Sequence, residues 1–383
     1  MAGGSNGLVG KEDMLDVLDL PQLHAKPSAA ILLSTLDELR CGLPSWDMIP
    51  QSSTQPVGQS WKGHQNGLPA YLTSIIASPL AWIADETERE RIWETASARL
   101  AERSGRSAMG DLFRVFRIPL YVKMASSSET KAENRGSAGG PNKDGIIEFT
   151  LYEPALTADH LGLKTWAASY LLAKRLPLLR HNPYCLPALH YLTGYHMPLI
   201  LELGAGTGLV GLAAAAVFQS RVLVTDLPEI VPNLERNVRA NAPSIGACDD
   251  VAVEAAVLDW TEPAVLRYST DPDRPPSRPH RHAHSFPLIL AADPIYSPEH
   301  PRLLVQSIAH HLSRVSDARV VVEIPLRVAY IAERQDFRMR MEQLGLKVVE
   351  EGEEIGVDDW GESKSGGEVE QVRCWWSVWA WDV

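Results

Sequence analysis

Leu201-Glu202-Leu203-Gly204-Ala205-Gly206-Thr207-Gly208 is the stretch whose reading decides the fold. It joins a short apolar run at 199–203 to a helical pattern at 208–218, so its glycines stand where a buried strand must turn into a helix. Glycine permits the tight turn and a close approach of backbone to ligand, and the N–H groups opening a helix present a positive dipole end. A nucleotide-like ligand is expected on this turn. The same stretch contains Gly206-x-Gly208-x-x-Gly211, the spacing of the dinucleotide fingerprint, and Asp226 follows at the distance expected of a ribose-binding acid. The glycines alone leave a dinucleotide and other adenosine-containing ligands both open.

Outward from the turn, strand and helix patterns alternate. Strands are predicted at 222–225, 251–258, 287–292 and 319–324, with helices at 228–241, 299–312 and 328–344. Such alternation builds a parallel sheet covered on both faces, an α/β architecture. The final strands, 346–350 and 371–381, have no helix between them, so the sheet is expected to finish in an antiparallel hairpin. The expected strand ends carry the chemistry. Glu202 suits a cationic aminoacyl group better than a pyrophosphate. In Leu258-Asp259-Trp260 a carboxylate can accept from an adenine amino group while an indole packs on its ring. Ala291-Ala292-Asp293-Pro294-Ile295-Tyr296 places a polar cluster at the carboxyl edge, where open α/β sheets bind ligands.

Upstream, apolar residues three to four apart (Tyr71, Leu72, Ile75, Ile76, Leu80, Ile83, then Ile92, Ala96, Leu100) predict two or three helices within 70–117. A strand is predicted at 146–152 and a helix at 161–176, ending before Pro177. The expected organisation is a flexible head and linker at 1–66, an N-terminal extension at 67–150 and a catalytic domain at 151–383. Residues 126–144 have almost no apolar side chains and are expected to be a disordered insertion.

Composition narrows the function. Of 383 residues, 45% are hydrophobic, and 48 acids against 36 bases give a net charge of −12, which argues against nucleic acid as a direct partner. The longest apolar stretches, such as 209–218, fall short of the roughly 18–20 residues of a bilayer span. The N-terminus carries Lys11, Glu12 and Asp13 where a secretory signal needs an apolar run, so a cytoplasmic or nuclear location is expected. The scattered cysteines Cys41, Cys185, Cys248 and Cys374 are read as reduced, structural thiols. His280, His282 and His284 sit in a Pro- and Arg-rich stretch without thiol partners, which reads as a solvated loop; no metal is expected.

The run Glu-Leu-Gly-Ala-Gly-Thr-Gly, the acid after the second strand, Leu-Asp-Trp and Asp-Pro-Ile-Tyr together resemble the seven-β-strand (class I) S-adenosylmethionine-dependent methyltransferases. Within them the chain resembles lysine methyltransferase family 16. Its tryptophan-containing lead-in, Glu153-Pro-Ala-Leu-Thr to Gly162-Leu-Lys-Thr-Trp166, and its upstream helical part resemble the fungal members that methylate translation elongation factor 2. The resemblance covers about residues 70 to 383. It implies a Rossmann-like sheet and S-adenosyl-L-methionine bound by Trp166, Glu202, Gly204, Ala205, Gly206, Asp226, Asp259, Trp260, Ala291 and Ala292. Asp293 would line the same site and Tyr296 would stand beside the methyl group; the expected role of Asp293 is to accept a hydrogen bond from the target amine or from the methionine amino group, and that of Tyr296 is packing and cation-π contact. A monomer acting on a protein substrate is expected. The competing readings are a small-molecule N- or O-methyltransferase and a dinucleotide-binding oxidoreductase. Asp226 could instead cap the helix that follows, and both tryptophans could be core residues.

Overall fold

The computed structural model describes residues 17–40, 67–104, 108–121, 145–155, 161–189, 198–246, 251–268, 283–358 and 370–382. The expected insertion at 126–144 and the stretch holding His280 and His282 lie outside them. The chain divides into two compact units, one comprising Met1–Gly110 with Asp359–Glu368, the other Asp111–Asp358 with Val369–Val383.

The first unit is helical. Helix α1 (Ala29–Glu38) starts at Ser28, whose hydroxyl accepts from the Ile31 N–H. Helix α2 (Leu68–Ala77) carries a proline in its first turn, and α3 (Glu86–Ala101) is capped by Asp85, which accepts the Thr87 N–H at 2.9 Å. Leu32, Leu36, Leu72, Ile75, Ile92 and Ala96 form its core. The short amphipathic stretch of the expected flexible head is thus part of a packed helical unit.

The second unit opens with a two-stranded antiparallel sheet, β1 (Leu112–Pro119) and β2 (Ile146–Glu153). The end of the region read as helical is therefore a strand. Its pattern misleads because polarity is inverted in part: Arg114 points inward to Glu153 at 3.5 Å, while Phe113 and Val115 are exposed. Helix α4 (Ala167–His181) begins later than the sequence suggests and runs through Pro177. Burial of Leu172, Leu176, Pro177 and Leu179 offsets the roughly 3 kcal/mol that an internal proline costs.

The main sheet has eight strands in the order β6-β5-β4-β3-β7-β8-β10-β9. They are β3 (Ile200–Leu203), β4 (Val222–Asp226), β5 (Val253–Leu258), β6 (Leu266–Arg267), β7 (Leu288–Ala292), β8 (Arg319–Pro325), β9 (Leu346–Asp358) and β10 (Glu370–Trp381). Strands β5, β4, β3, β7 and β8 are parallel, and β10 and β9 complete the expected antiparallel hairpin. Two-residue β6 is an antiparallel addition at one edge. Helices α5 (Leu209–Phe218), α6 (Val231–Ile245), α7 (His300–His311) and α8 (Ile331–Gln343) connect the strands. Every residue of β3 and β7 is buried, as central parallel strands require. From β3 the chain moves outward through β4 and β5, then returns to place β7 on the other side of β3. The topological switch point, where open α/β sheets form their crevice, lies between β3 and β7.

Strand β9 is far longer than expected because an edge strand need not be apolar; Arg338 and Arg175 hold its Glu351 and Glu354. His311 ends α7, but burial pushes its imidazole down to about 4, so near neutral pH it is an uncharged core group and not the dipole-favoured imidazolium the position suggests.

Helix α6 takes the place of a strand beside β2. Asn237 accepts the Tyr152 N–H at 2.8 Å and donates to the Tyr152 carbonyl at 3.1 Å; Asn241 does the same for Thr150, at 2.9 and 2.9 Å. The match is geometric: four residues of helix rise about 6 Å and two residues of strand roughly 6.6 Å, so the two amides meet alternate peptide groups. Asn241→Ala is expected to cost about 2–4 kcal/mol in urea denaturation, because it strips both Thr150 backbone groups of their partner. A loss below half a kcal/mol would show that water replaces the amide.

Candidate functional site

The carboxyl ends of β3, β4, β5 and β7 converge on the switch point. The turn after β3 has Gly204, Gly206 and Gly208 at φ +69°, +56° and +90°, the left-handed region that favours glycine. Close approach makes the same demand: a Cβ on Gly204 would lie 3.1 Å from the Trp260 ring, and one on Gly206 would lie 2.9 Å from the Gly162 carbonyl oxygen. The Ala205 N–H donates to the Thr225 carbonyl at 2.9 Å, fixing the turn to the end of β4.

Asp226, the last residue of β4, accepts the Gly206 N–H at 2.7 Å through Oδ2 and the Leu227 N–H at 2.8 Å through Oδ1. It does not cap α6, whose N-cap is Ile230. Burial pushes its carboxyl up to about 6, against the pull of those two N–H groups. Glu202 lies beneath the first turn of α5, where its Oε2 would stand 2.7 Å from a Cβ on Gly211. Burial raises its pKa well above the ordinary range, opposed by the Gly211 N–H. The sequence suggests a carboxylate facing an aminoacyl ammonium; the structure shows this side chain buried against Gly211 of α5.

Asp259, after β5, closes a local turn by accepting the Thr261 N–H at 2.8 Å. Trp260 lies over Gly204 and meets His300 edge-on at 5.9 Å. Ala291 and Ala292 are buried at the end of β7. Tyr296 is half-exposed, packed edge-on against His300 at 4.2 Å, and its hydroxyl is pushed up to about 12, by burial first and then by Asp226, Asp293 and Glu229. Trp166 is the N-cap residue of α4, its Nε1 donating to the Leu161 carbonyl at 3.0 Å.

Asp293 has company that the sequence did not announce. It stands at φ +50°, a left-handed conformation uncommon outside glycine, with its N–H donating to the Glu323 carbonyl at 2.8 Å. Arg327, two residues beyond β8, donates to both carboxylate oxygens, at 2.9 and 2.8 Å. Burial raises the Asp293 pKa, and the charge and hydrogen bonds of Arg327 pull it back. Arg327 also lies 5.3 Å from the Trp166 ring centre, and Lys164, paired with Asp358 at 2.6 Å, lies 4.3 Å from that ring. Thr165 joins the lead-in to the glycine turn through a 2.7 Å hydroxyl contact with Thr207, while its N–H donates to Glu153. The sequence reading assigned no role to Lys164, Thr165, Thr207, His300, Arg327 or Asp358. The available signal was positional, since Arg327 follows a strand's carboxyl end and Lys164 lies inside the tryptophan lead-in.

Among the described residues no group of His, Cys, Asp and Glu is placed to hold a metal ion, and no helix is long and apolar enough to cross a membrane. Cys185 and Cys374 are free and buried.

A central parallel sheet with its switch point at β3/β7, a terminal antiparallel hairpin and a glycine turn answered by an acid on the next strand define a class I, Rossmann-like methyltransferase fold. A family profile described as lysine methyltransferase matches residues 155–342. The protein-lysine N-methyltransferase EFM2 of Saccharomyces cerevisiae is 34% identical over 316 residues, covering 78% of this chain and 63% of that protein. The protein-lysine N-methyltransferase rrg1 of Schizosaccharomyces pombe is 31% identical over 366 residues, 96% of this chain and 98% of that protein. Among solved structures, M. jannaschii TYW2 in complex with AdoMet aligns with a TM-score of 0.32 at 12% identity, covering 61% of this chain and 83% of that one. The chain belongs to the lysine methyltransferase family.

Asp226 is tied to the turn independently of any ligand. Asp226→Ala is expected to lower stability by about 1–3 kcal/mol in chemical denaturation, since the Gly206 N–H loses its acceptor. Asp226→Asn should recover part of that loss. An alanine variant as stable as the parent would show that the turn holds without it.

Proposed function

We propose that this chain transfers a methyl group from S-adenosyl-L-methionine to a lysine side chain of a folded protein, translation elongation factor 2. Membership of the lysine methyltransferase family supports the reaction class. What supports the reading is the nearness of these residues to one another: Trp260 lies over Gly204 and meets His300, His300 meets Tyr296, Tyr296 is coupled to Asp226 and Asp293, and Arg327 links Asp293 to the Trp166 ring. The choice of elongation factor 2 rests on the sequence resemblance to fungal members of the family that methylate it. A monomer acting in the cytoplasm, and possible nuclear entry, belong to the same proposal.

The residues present fit the proposed methyl donor. Gly204 and Gly206 keep the left-handed turn free of side chains, Asp226 offers acceptors for ribose hydroxyls beside it, and Trp260 offers an indole against the same turn with Asp259 next to it for an adenine amino group. Ala205, Ala291 and Ala292 are small side chains at the turn and at the end of β7, and Glu202 is buried at the end of β3. When bound, the donor supplies a sulfonium-activated methyl group. The lysine nitrogen then forms the new N–C bond as the C–S bond breaks, and the bonding pair stays on sulfur. The entering lysine gives up its proton to water before this step, and the methylated product leaves as an ammonium. A free lysine is neutral only about once in 2,500 molecules at pH 7, so the chain must position the amine and keep it uncharged. Tyr296 does not act as base, because its hydroxyl stays protonated; its ring packs on the incoming side chain. Asp293 orients the amine by accepting one of its hydrogen bonds.

Calorimetry is expected to show micromolar-range binding of S-adenosylmethionine and no appreciable binding of NAD. Labelled donor incubated with a proteome should mark elongation factor 2 on lysine, and Tyr296→Phe should retain more turnover than Tyr296→Ala. Label appearing only in small molecules would return the reading to a small-molecule methyltransferase, and NAD binding without the methyl donor would return it to an oxidoreductase.

A further inference from the structure

We propose that Arg327 is a positioning residue for methyl transfer: by forking onto both carboxylate oxygens of Asp293 it fixes that acceptor and offsets its charge, so that the target lysine is held there as the free amine. The inference rests on the reading above and deepens it. A carboxylate beside the target nitrogen poses a conflict. It can orient the amine, but alone it stabilises the ammonium and so withholds the lone pair that the reaction needs. A bidentate guanidinium removes the conflict, because it leaves lone pairs on the carboxylate for orientation while making the pair nearly neutral.

Three features show that the pair is built and not incidental. Both contacts are short and parallel, at 2.9 and 2.8 Å, on a carboxylate whose side chain is only 5% exposed. The partner backbones are themselves held: the Asp293 N–H bonds the Glu323 carbonyl, the Arg327 carbonyl accepts from Arg334 at 2.6 Å, and Leu326 N–H bonds the Arg373 carbonyl at 2.7 Å. Arg327 also faces the Trp166 ring, which gives the guanidinium a second surface to rest on.

The other charges around Asp293 leave the balance to Arg327. From the segment before α4, Lys164 is matched by Asp358 of β9, so that pair adds no net charge. Cys374 on β10 is a thiol whose pKa burial raises, and it stays neutral. Tyr296 stays protonated, and His300 beside it is held uncharged near neutral pH by burial. Asp226 and Glu229 lie beyond Tyr296; Asp226, raised to about 6, titrates below the range in which a lysine loses its proton.

The test is the pH dependence of kcat at saturating methyl donor on the protein substrate. The acid limb of the wild-type profile reports deprotonation of the bound lysine. In Arg327→Gln it should move up by about one pH unit or more, with turnover at pH 7.5 falling at least about tenfold and recovering toward pH 9.5. Arg327→Lys keeps the charge and should leave the limb near its wild-type position. Asp293→Asn, which leaves Arg327 unopposed, should move the limb the other way and serves if the Gln variant does not fold. Combining Asp293→Asn with Arg327→Gln should bring the limb back toward wild type. A uniform fall in kcat at every pH, or a double variant still displaced upward, would overturn the charge-balancing role. Lysine product from the wild type with an unshifted Arg327→Gln profile would overturn this inference alone; no lysine product from any protein would overturn the parent reading with it.

Discussion

The 2.7 Å hydrogen bond from the Gly206 N–H to Asp226 Oδ2 is the constraint on which the rest of the site depends. It bridges the turn after β3 to the end of β4, so the two central strands present their carboxyl ends as one surface. Beside the bond from the Ala205 N–H to the Thr225 carbonyl, two attachments from outside these strands keep that turn in place. The Thr165 hydroxyl meets that of Thr207, and Asn237 of α6 donates to the Thr207 carbonyl at 3.1 Å. Asn237 also lines up β2, and β2 ends at Glu153, whose carboxylate receives the Thr165 N–H. A loop of contacts therefore runs from the turn to α6, to the small sheet, to the tryptophan lead-in and back to the turn. A site fixed from several directions has little to reorganise when charge moves, which is where much catalytic advantage resides.

What the sequence could and could not convey follows from the range of each signal. Glycines at a strand-to-helix junction and regular alternation of periods are local, and they located the turn, the parallel sheet and the closing hairpin. Strand β1 was hidden because its inward residue Arg114 is an arginine, acceptable only because Glu153 waits across the strand pair. The course of α4 through Pro177 depends on burial that only tertiary packing provides. Among site residues, the strand-end acids were legible as a set, but their partners were not. Nothing near residue 293 in the chain shows that residue 327 will take both carboxylate oxygens, nor that Glu202 will turn beneath a helix.

The electrostatics of the site differ in kind from those of the chain. A net charge of −12 describes the surface as a whole and bears on partners met through long-range attraction. Around Trp166, charges come in matched couples, Asp293 with Arg327 and Asp358 with Lys164, and both cations face its indole. Such couples are weak sources of stability, because desolvating two ions consumes most of what their attraction returns. Their presence around Trp166 is better explained by direction than by energy, since a forked ion pair fixes a carboxylate's plane in a way that apolar packing cannot.

Backbone strain points the same way. Asp293 occupies a left-handed conformation at a cost of order 1–3 kcal/mol, and an ordinary turn residue would relax out of it. Two attachments prevent that relaxation: its N–H donates to β8, and its carboxylate accepts two bonds from Arg327 in the segment that follows β8. Both anchor on the neighbouring strand, so the position of Asp293 is set by the register of β7 against β8. The aspartate is therefore tied to the sheet, although it lies just past a strand end where loops ordinarily begin. In the proposed role, where Asp293 faces a flexible lysine side chain, only one of the two partners then has to find the other.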